Sequence, residues 1–582
     1  MTLGDVLERS SASDDTGLRF VDRGEQVTWL SWRDIHRRAL VACGRMQAGG
    51  LRPGDRIALV FPTAPEFFDA FFGTLLAGAV PVPLYPPVRL GRLEEYAART
   101  AAMLTAAGVR IVLAQPRVRR LLGTAVAPAV PELGCCSLDD LPPGPPTPAG
   151  SSPDDLALIQ FSSGTTVDPK PVALSHRALL AQTERLNGFW PQPAGSPVDS
   201  GVSWLPLYHD MGLVGCVLPA LVNPGTLTLI PPEVFVARPA VWLRTISRFG
   251  ATISPAPNFA YGLCVDKIRD DELEGVDLSS WRVALNGAEP VAPRVLRRFI
   301  DRFSHWGFRR EALTPVYGLS EAALAVTFSD VDRPFTSLRF DRDALSADRR
   351  AVPAADGVEL VSVGRPLPDF ELRLVDEARR PVNEDRVGRV LVRGPSLMQG
   401  YFGRPEDTEA VLRDGWLDTG DLGFLHAGEL YLTGRAKEVL ILNGRNHAPN
   451  EVEHAVDRVD GVRTGCAVAA SWRPDDGDRE LLAVLVEAAR DVPANRWPAI
   501  ARECAAEVRA ATGLATDRVE VLAAGTLPRT SSGKLRRREA LRRWLAGELT
   551  PPDVVGLLQI AGAMVRSSLA FASMERNRGD AG

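Results

Sequence analysis

Cysteine is scarce in this sequence: seven in 582 residues, no C-x-x-C, and one adjacent pair at Cys135 and Cys136. That usage excludes a disulfide framework or a cysteine-built zinc site, and it suits a reducing cytoplasm. An excess of positive charge is missing too. A formal net charge of -5 and an isoelectric point near 5.9 leave no polybasic surface for nucleic acid. Long apolar runs are also absent. The longest apolar region, residues 70–87, is cut by glycines and by Pro81 and Pro83, and the opening MTLGDVLERSS lacks a charged-then-apolar leader pattern. No membrane span is expected. There is no internal repeat.

What is present is globular composition, 45% hydrophobic and 24% charged, in a chain too long for one compact core. Residues 31–46 carry an amphipathic helical pattern, and 56–61 followed by 66–76 reads as a buried strand and a helix. Short apolar runs then alternate with helical windows through Val112, Leu156, Val202, Leu227 and Val283, the pattern of α/β layers with largely parallel sheets. PPGPPTPAGSSP at 142–153 is an internal linker. Between 364 and 432, short strands broken by glycine turns predict a small barrel or sheet. After Arg435 the windows 452–457, 481–486, 497–511 and 518–522 predict a separate α+β unit. The expected architecture is therefore α/β: a large N-terminal domain, residues 1–435, of layered β-sheets and helices with a small β-barrel-like subdomain, plus a smaller mobile α+β C-terminal domain. The latter spans 436–549 after a hinge at Ala436 and Lys437. A tail, 550–582, holds an apolar helical window at 554–571 and ends in the polar MERNRGDAG.

Residues 158–176, LIQFSSGTTVDPKPVALSH, carry the most chemistry. They read as a strand, a phosphate-cradling loop and a second strand. Polyphosphate needs converging N–H groups and hydroxyls with a cation above them, and Ser162, Ser163, Gly164, Thr165, Thr166 and Lys170 supply all three. The loop is not of the G-x-x-x-x-G-K-[ST] kind, because no glycine directly precedes Lys170 and no hydroxyl follows it. A different nucleotide-using class is indicated.

With SWLPLYHDMGL at 203–213, NGAEPV at 286–291, YGLSEA at 317–322, LDTGDLG at 417–423, TGRAKEVLILNGRN at 433–446 and LPRTSSGK at 527–534, the chain resembles the adenylate-forming superfamily. Those enzymes use ATP to activate a carboxylic acid as its acyl-AMP. The resemblance implies that the Ser162–Thr166 loop and Lys170 hold the β- and γ-phosphates. Asn286, Gly287, Ala288 and Glu289 would meet the adenine edge, Tyr317 would stack on it with Gly318 alongside, and Ser320 and Glu321 would face the phosphates. Glu321 would hold Mg²⁺. Asp421, with Arg435 nearby, would accept from the ribose hydroxyls, His209 would line the acyl side of the cleft, and Lys534 would be the catalytic lysine bridging carboxylate and α-phosphate. Val167 and Pro171 stand where the family pattern has glycine, which restricts the loop's backbone. The aspartate with which amino-acid-activating relatives bind an ammonium is missing from the 207–209 run, favouring an unsubstituted acid. The arginines at 536, 537, 538, 542 and 543 read as an exposed helix face.

Within that superfamily, VPLYPP at 82–87, PAPNFAYGLC at 255–264 and a long segment at 329–363 resemble the fatty acyl-AMP ligases. In that branch an insertion after the Y-G-x-[ST]-E block packs on the large domain, here with Phe335, Leu338, Phe340, Leu345 and Val358 as apolar anchors. It would restrict rotation of the small domain and disfavour transfer to free CoA. The expected activity is Mg²⁺- and ATP-dependent adenylation of a fatty acid for the phosphopantetheine thiol of an acyl carrier protein, of the polyketide or non-ribosomal peptide synthase type. A fatty acyl-CoA ligase is the alternative, and a non-catalytic acyl- or nucleotide-binding homologue is a second.

Overall fold

The structure, a computed structural model, describes residues 1–87, 90–162, 169–190, 198–442, 445–474, 479–530, 533–552 and 556–579. Ser163, Gly164, Thr165 and Thr166 of the expected phosphate loop, and Val167, lie outside them.

The apolar run near residue 70 is a buried helix, Pro65–Leu76, with Phe67, Phe68, Phe71 and Phe72 all buried, followed by the strand Val80–Pro83. Proline at its first turn sets φ where no N–H partner is needed. The helix packs on Trp32–Ala48, which Ser31 and Asp34 start with a reciprocal capping box and which buries Trp32, Ile35, Ala39, Ala42, Cys43 and Met46 at helical spacing. Gly73 allows that approach: a Cβ there would meet the Ala42 Cβ at 2.6 Å.

Among the described residues the main sheet has nine strands. Its parallel centre runs through Leu313–Gly318, Val283–Asn286, Ile253–Ala256, Ser200–Ser203, Thr226–Leu229 and Gly17–Val21, with antiparallel strands at both edges. A four-stranded parallel sheet holds Val80–Pro83, Arg56–Val60, Ile111–Ala114 and Cys135–Cys136. The carboxyl ends of the central parallel strands carry the NGAEPV and YGLSEA blocks, which is where open α/β sheets bind ligands.

The 158–176 segment is an antiparallel hairpin, Leu156–Phe161 with Pro171–Ser175, and Pro171 opens the second strand opposite Phe161. First in its strand, proline costs the sheet little. His176 then begins the helix His176–Phe189 rather than ending the strand. Its Nδ1 accepts from the Leu3 N–H at 3.1 Å in a buried setting, and burial pushes its pKa down to about 4. The unfolded chain takes up that proton near pH 6.5 and the folded chain only near 4, so this contribution is complete above pH 6.5 and is lost as pH falls through about 4. Wild type should lose about 1.4 kcal/mol per pH unit in that window, reaching about 3 kcal/mol. Urea midpoints of wild type and His176→Asn, measured against pH, should converge as pH falls; parallel curves would reject this account.

Strands Glu371–Val375, Gly388–Arg393, Leu412–Arg413, Trp416–His426 and Glu429–Arg435 form the short antiparallel sheet expected from the glycine-punctuated region. Beyond it, helices Pro449–Val456 and Trp497–Thr512 cover a sheet of Val462–Trp472, Leu481–Ala488 and Arg518–Leu522, enclosing a core of Val452, Leu482, Val484, Ile500 and Val508. The 329–363 segment contains the hairpin Ser337–Phe340 with Val358–Val361 and a short helix, Arg342–Ser346. Phe340 is fully buried against Phe424 and Tyr431, Leu338 and Leu345 join that cluster, Val358 is buried, and Phe335 packs on the main core.

The tail contains a helix, Leu557–Gly579, that docks on the large domain, with Ser567 and Met574 buried. Among the described residues no helix is long and apolar enough to cross a membrane. The arginine-rich helix Arg537–Leu545 departs from expectation. Arg538 and Arg542 are exposed as expected, but Arg536 is buried, Arg537 bridges Glu453 and Glu438 at 2.7 Å each, and Arg543 reaches Glu95 of the large domain at 3.0 Å. The helix lies between the domains: Arg536 and Arg543 face the seam, and Arg537 ties the helix to the body of its own domain.

Candidate active site

A cavity of about 670 Å³ opens between the domains and gathers residues from all seven sequence blocks: Ser162, His209, Asp210, Ala288, Glu289, Tyr317, Gly318, Ser320, Glu321, Asp421, Arg435 and Lys534 all line it. Tyr317 and Gly318 end a central strand that turns back as Ala325–Phe328. A Cβ at position 318 would collide with the Leu324 carbonyl, so only glycine permits the turn. The Tyr317 hydroxyl donates to Asp421 Oδ2 at 2.7 Å, and Arg435 Nε donates to Oδ1 at 3.1 Å. Asp421 and Arg435 are register partners on adjacent antiparallel strands, which fixes the pair. The Asp421 charge raises the Arg435 pKa, outweighing burial.

Asp210 is the buried hub beside this group. It accepts from the Ser320 hydroxyl and, at 2.7 Å, from the Met211 N–H, and its Oδ1 lies 2.6 Å from His209 Nδ1. Burial opposes its ionisation, yet the His209 ring, the hydrogen bonds from His209 and Ser320, and the Lys534 ammonium together hold its pKa well below the ordinary carboxylate range. Lys534 sits in a tight turn whose backbone is tied at both ends to Thr530, by Thr530 N to Lys534 O at 2.8 Å and Lys534 N to Thr530 Oγ1 at 3.0 Å. Burial lowers its pKa; Asp210, Glu289 and Asp421 oppose that, while Arg435 adds to it. Glu289 accepts the Phe259 N–H at 2.6 Å, and burial raises its pKa. Ala288 holds φ at 68°, a left-handed conformation a residue with a Cβ adopts only under strain.

Three expected contact residues do not line the cavity. Asn286 is wholly buried and turns its side chain to Asn258, supporting the edge from behind. Gly287 faces the neighbouring strand, where a Cβ would meet the Val316 side chain at 2.6 Å, so its lack of a side chain serves strand packing and not ring contact. Lys170 ion-pairs with Asp407 at 2.9 Å and lies 4.7 Å over the Tyr401 ring. Tyr401 in turn donates to Glu321 Oε1 at 2.9 Å, so lysine and carboxylate are joined through one ring. Among the described residues no group of three or more His, Cys, Asp or Glu could hold a metal, so Glu321 fits only a hard cation that brings its other oxygen ligands with it.

Asp210 and Tyr401 are the residues that sequence reasoning missed. Scarcity was a usable signal: the chain has four lysines, at 170, 267, 437 and 534, and two of them stand at or beside this cleft.

Met211, Leu324, Leu186, Trp190 and Phe328 form an apolar arm of the cavity's lining. Ala325 pairs with Gly318 and Phe328 with Val316, so Phe328 stands two strand residues, about 7 Å, along the strand from the Gly318 pair. There Trp190 stacks on Phe328 at 5.8 Å and Phe189 meets its edge at 4.9 Å.

Residues 9–402 match the AMP-binding enzyme family. The long-chain-fatty-acid–AMP ligase FadD23 of Mycobacterium tuberculosis is 32% identical over 551 residues, covering 90% of this chain and 92% of that protein. A 4-hydroxyphenylalkanoate adenylyltransferase of Mycobacterium marinum is 34% identical, covering 88% and 86%. A solved structure from work on the fatty acyl-adenylate ligases of E. coli and L. pneumophila superposes with a TM-score of 0.87 at 34% identity, over 94% of this chain and 98% of that one. The chain belongs to the AMP-binding enzyme family, in its fatty acyl-AMP ligase branch.

Proposed function

We propose that this enzyme joins a fatty acid carboxylate to AMP and hands the acyl group to the phosphopantetheine thiol of an acyl carrier protein, in the cytoplasm. The observation that carries the reading is that Lys534 lines one cavity with Asp210, Glu289, Asp421 and Arg435, whose charges act on it, and with the side chains of the apolar arm. A carboxylate oxygen attacks the α-phosphorus of ATP, the new P–O bond forms, and the bond to the bridging oxygen breaks, releasing pyrophosphate. The thiol sulfur then attacks the acyl carbon; the thioester forms, AMP leaves and the thiol proton is given up.

In this scheme Tyr317 stacks on adenine above the strained Ala288 edge, and Asp421, oriented by Tyr317 and Arg435, accepts from the ribose diol. Lys534 bridges the two anions as they meet, where a cation in a dry cleft is worth most. His209 borders the acyl group. Ser162, which lines the cavity, faces the departing phosphates, and Lys170 stands outside the lining, paired with Asp407. Glu321 would hold Mg²⁺, which supplies charge neutralisation on those oxygens. We take 1–435 as the large domain, 436–549 as the small one, with the hinge at Ala436 and Lys437, and 550–582 as the tail.

Two observations support the finer reading. The 329–363 hairpin grips the small domain: Arg342 meets Glu451 at 3.3 Å and the Ala511 carbonyl at 2.7 Å, and Asp343 meets Arg445 at 2.6 Å. Such ties disfavour the rotation that free CoA would require, so a carrier protein is the acceptor. The arm's aromatic floor suits a medium-length or phenyl-terminated acid. Acid-dependent pyrophosphate release across a chain-length series, with CoA and a holo-carrier protein in parallel, tests both. The expected result is thioester on the carrier only, with turnover falling for acids longer than the arm and extending to them in Trp190→Ala. Efficient acyl-CoA formation would instead mark an acyl-CoA ligase, and no pyrophosphate with any acid would mark a binding protein.

A further inference from the structure

The small domain is fastened to the large one at a point far along the chain from the hinge. Glu95, on the large-domain helix Leu93–Ala106, receives both terminal nitrogens of Arg543, at 3.0 and 3.3 Å, and Arg536 Nη1 stands 3.9 Å from the same carboxylate. The arginines are well covered, with side-chain exposures of 15% and 6%, while Glu95 stays 39% exposed. Arg92, at the head of that helix, donates to the carbonyls of Thr526 and Thr550 across the seam, each at 3.2 Å.

Just past Thr550 the tail returns to the large domain. Its helix seats Ser567 on the N-terminus of Gly123–Val126, where the Gly123 N–H donates to Ser567 Oγ at 2.7 Å, and a Cβ on Gly123 would collide with the Ser567 carbonyl. Met574 and Phe571 enter the cluster of Leu122 and Val126. The small domain is thus tied down at both of its chain ends. The latch is also coupled to the chemistry. Arg536 is two residues from Lys534 and its N–H donates to the Pro528 carbonyl at 3.0 Å, closing the loop that carries the lysine, while Arg537 anchors the same stretch to Glu453 and Glu438.

We propose that Glu95, Arg543 and Arg536 form a latch, strapped by the docked tail helix, that positions Lys534 in the cleft for adenylation. This rests on the assignment of Lys534 to the chemistry. The three are positioning residues, for none touches the cleft. A domain held by fewer ties samples more orientations, and the latched one is the orientation that puts the lysine in the cleft.

The test is acyl-AMP formation by the full chain at saturating ATP and acid. Glu95→Gln should lower kcat about threefold to fivefold, the worth of a partly exposed ion pair, and should leave the KM for ATP and the unfolding midpoint unchanged. Arg543→Gln should match it, and the double variant should lose no more than either single one. Wild-type kcat should fall with rising salt while that of Glu95→Gln stays flat. A chain ending at residue 552 should lose more than Glu95→Gln. A wild-type kcat in Glu95→Gln or in the shortened chain, fully multiplicative single losses, or a loss confined to KM or stability would overturn the proposal. In a Lys534→Ala background Glu95→Gln should add nothing; if Lys534→Ala itself retains full activity, the assignment of the lysine is what fails.

Discussion

Lys534→Ala is expected to lower acid-dependent acyl-AMP formation by about 100- to 1,000-fold while leaving ATP binding close to wild type. The magnitude is that of removing one preorganised charge donor from a water-poor site. The separation of effects follows from geometry. The proposed nucleotide contacts, Tyr317 with Asp421 and Arg435, belong to strands of the large domain and hold each other through 2.7 and 3.1 Å hydrogen bonds that do not involve the lysine. Lys534 arrives from the small domain on a turn tied to Thr530, beside Asp210. In the proposed scheme its loss therefore strips charge from the point where two anions meet and leaves the proposed adenosine pocket standing. Lys534→Arg should recover little, because a planar guanidinium cannot replace a point charge in a turn closed by backbone bonds. The measurements are single-turnover acyl-AMP formation and ATP affinity by calorimetry; equal losses in both would mean that the lysine serves binding.

The parts of this site that could be read in the sequence are those whose residues are local. The 158–176 hairpin, the strand-end glycine of YGLSE and the buried 56–76 strand and helix follow from apolar period and turn chemistry, which act within a dozen residues. Asp421 and Arg435 were named from the family resemblance, and the antiparallel register that makes them neighbours comes from the structure. Asp210 was not. Next to His209 it reads as the second half of a dipeptide, and its importance arises from Ser320, 110 residues on, and from Lys534 in another domain. Tyr401 is likewise important only because Glu321, 80 residues earlier, accepts its hydroxyl. The same limit explains the arginine helix. Local pattern makes 536–543 a solvated face, and only the distant Glu95 turns one side of it into a seam, as Glu453 fixes another to the small domain. Gly287 shows the converse: a glycine well placed to face a ring is spent on packing against Val316.

Asp210→Asn tests that hub, and its expected effect is nearly as large. The carboxylate is buried, and it is the strongest influence holding the Lys534 pKa up against burial. An amide is isosteric but neutral. It also presents N–H groups on one side, where the present carboxylate oxygens accept from both Ser320 and Met211. Removing one partner from a buried charge arrangement costs about 3–5 kcal/mol. If that cost falls on the closed, lysine-in state, acyl-AMP formation drops about 100-fold or more. The sign of the pH effect is fixed. Lys534 acts as a cation, burial lowers its pKa, and without the Asp210 charge it falls further. The alkaline limb of the kcat profile should therefore move to lower pH in Asp210→Asn, with the acid limb following other groups. Ser320→Ala, which removes a hydrogen bond to the hub and leaves its charge, should reduce the rate far less and leave the alkaline limb in place. An unmoved limb in Asp210→Asn would mean that the aspartate shapes the 209–212 turn and does not hold the charge of the lysine.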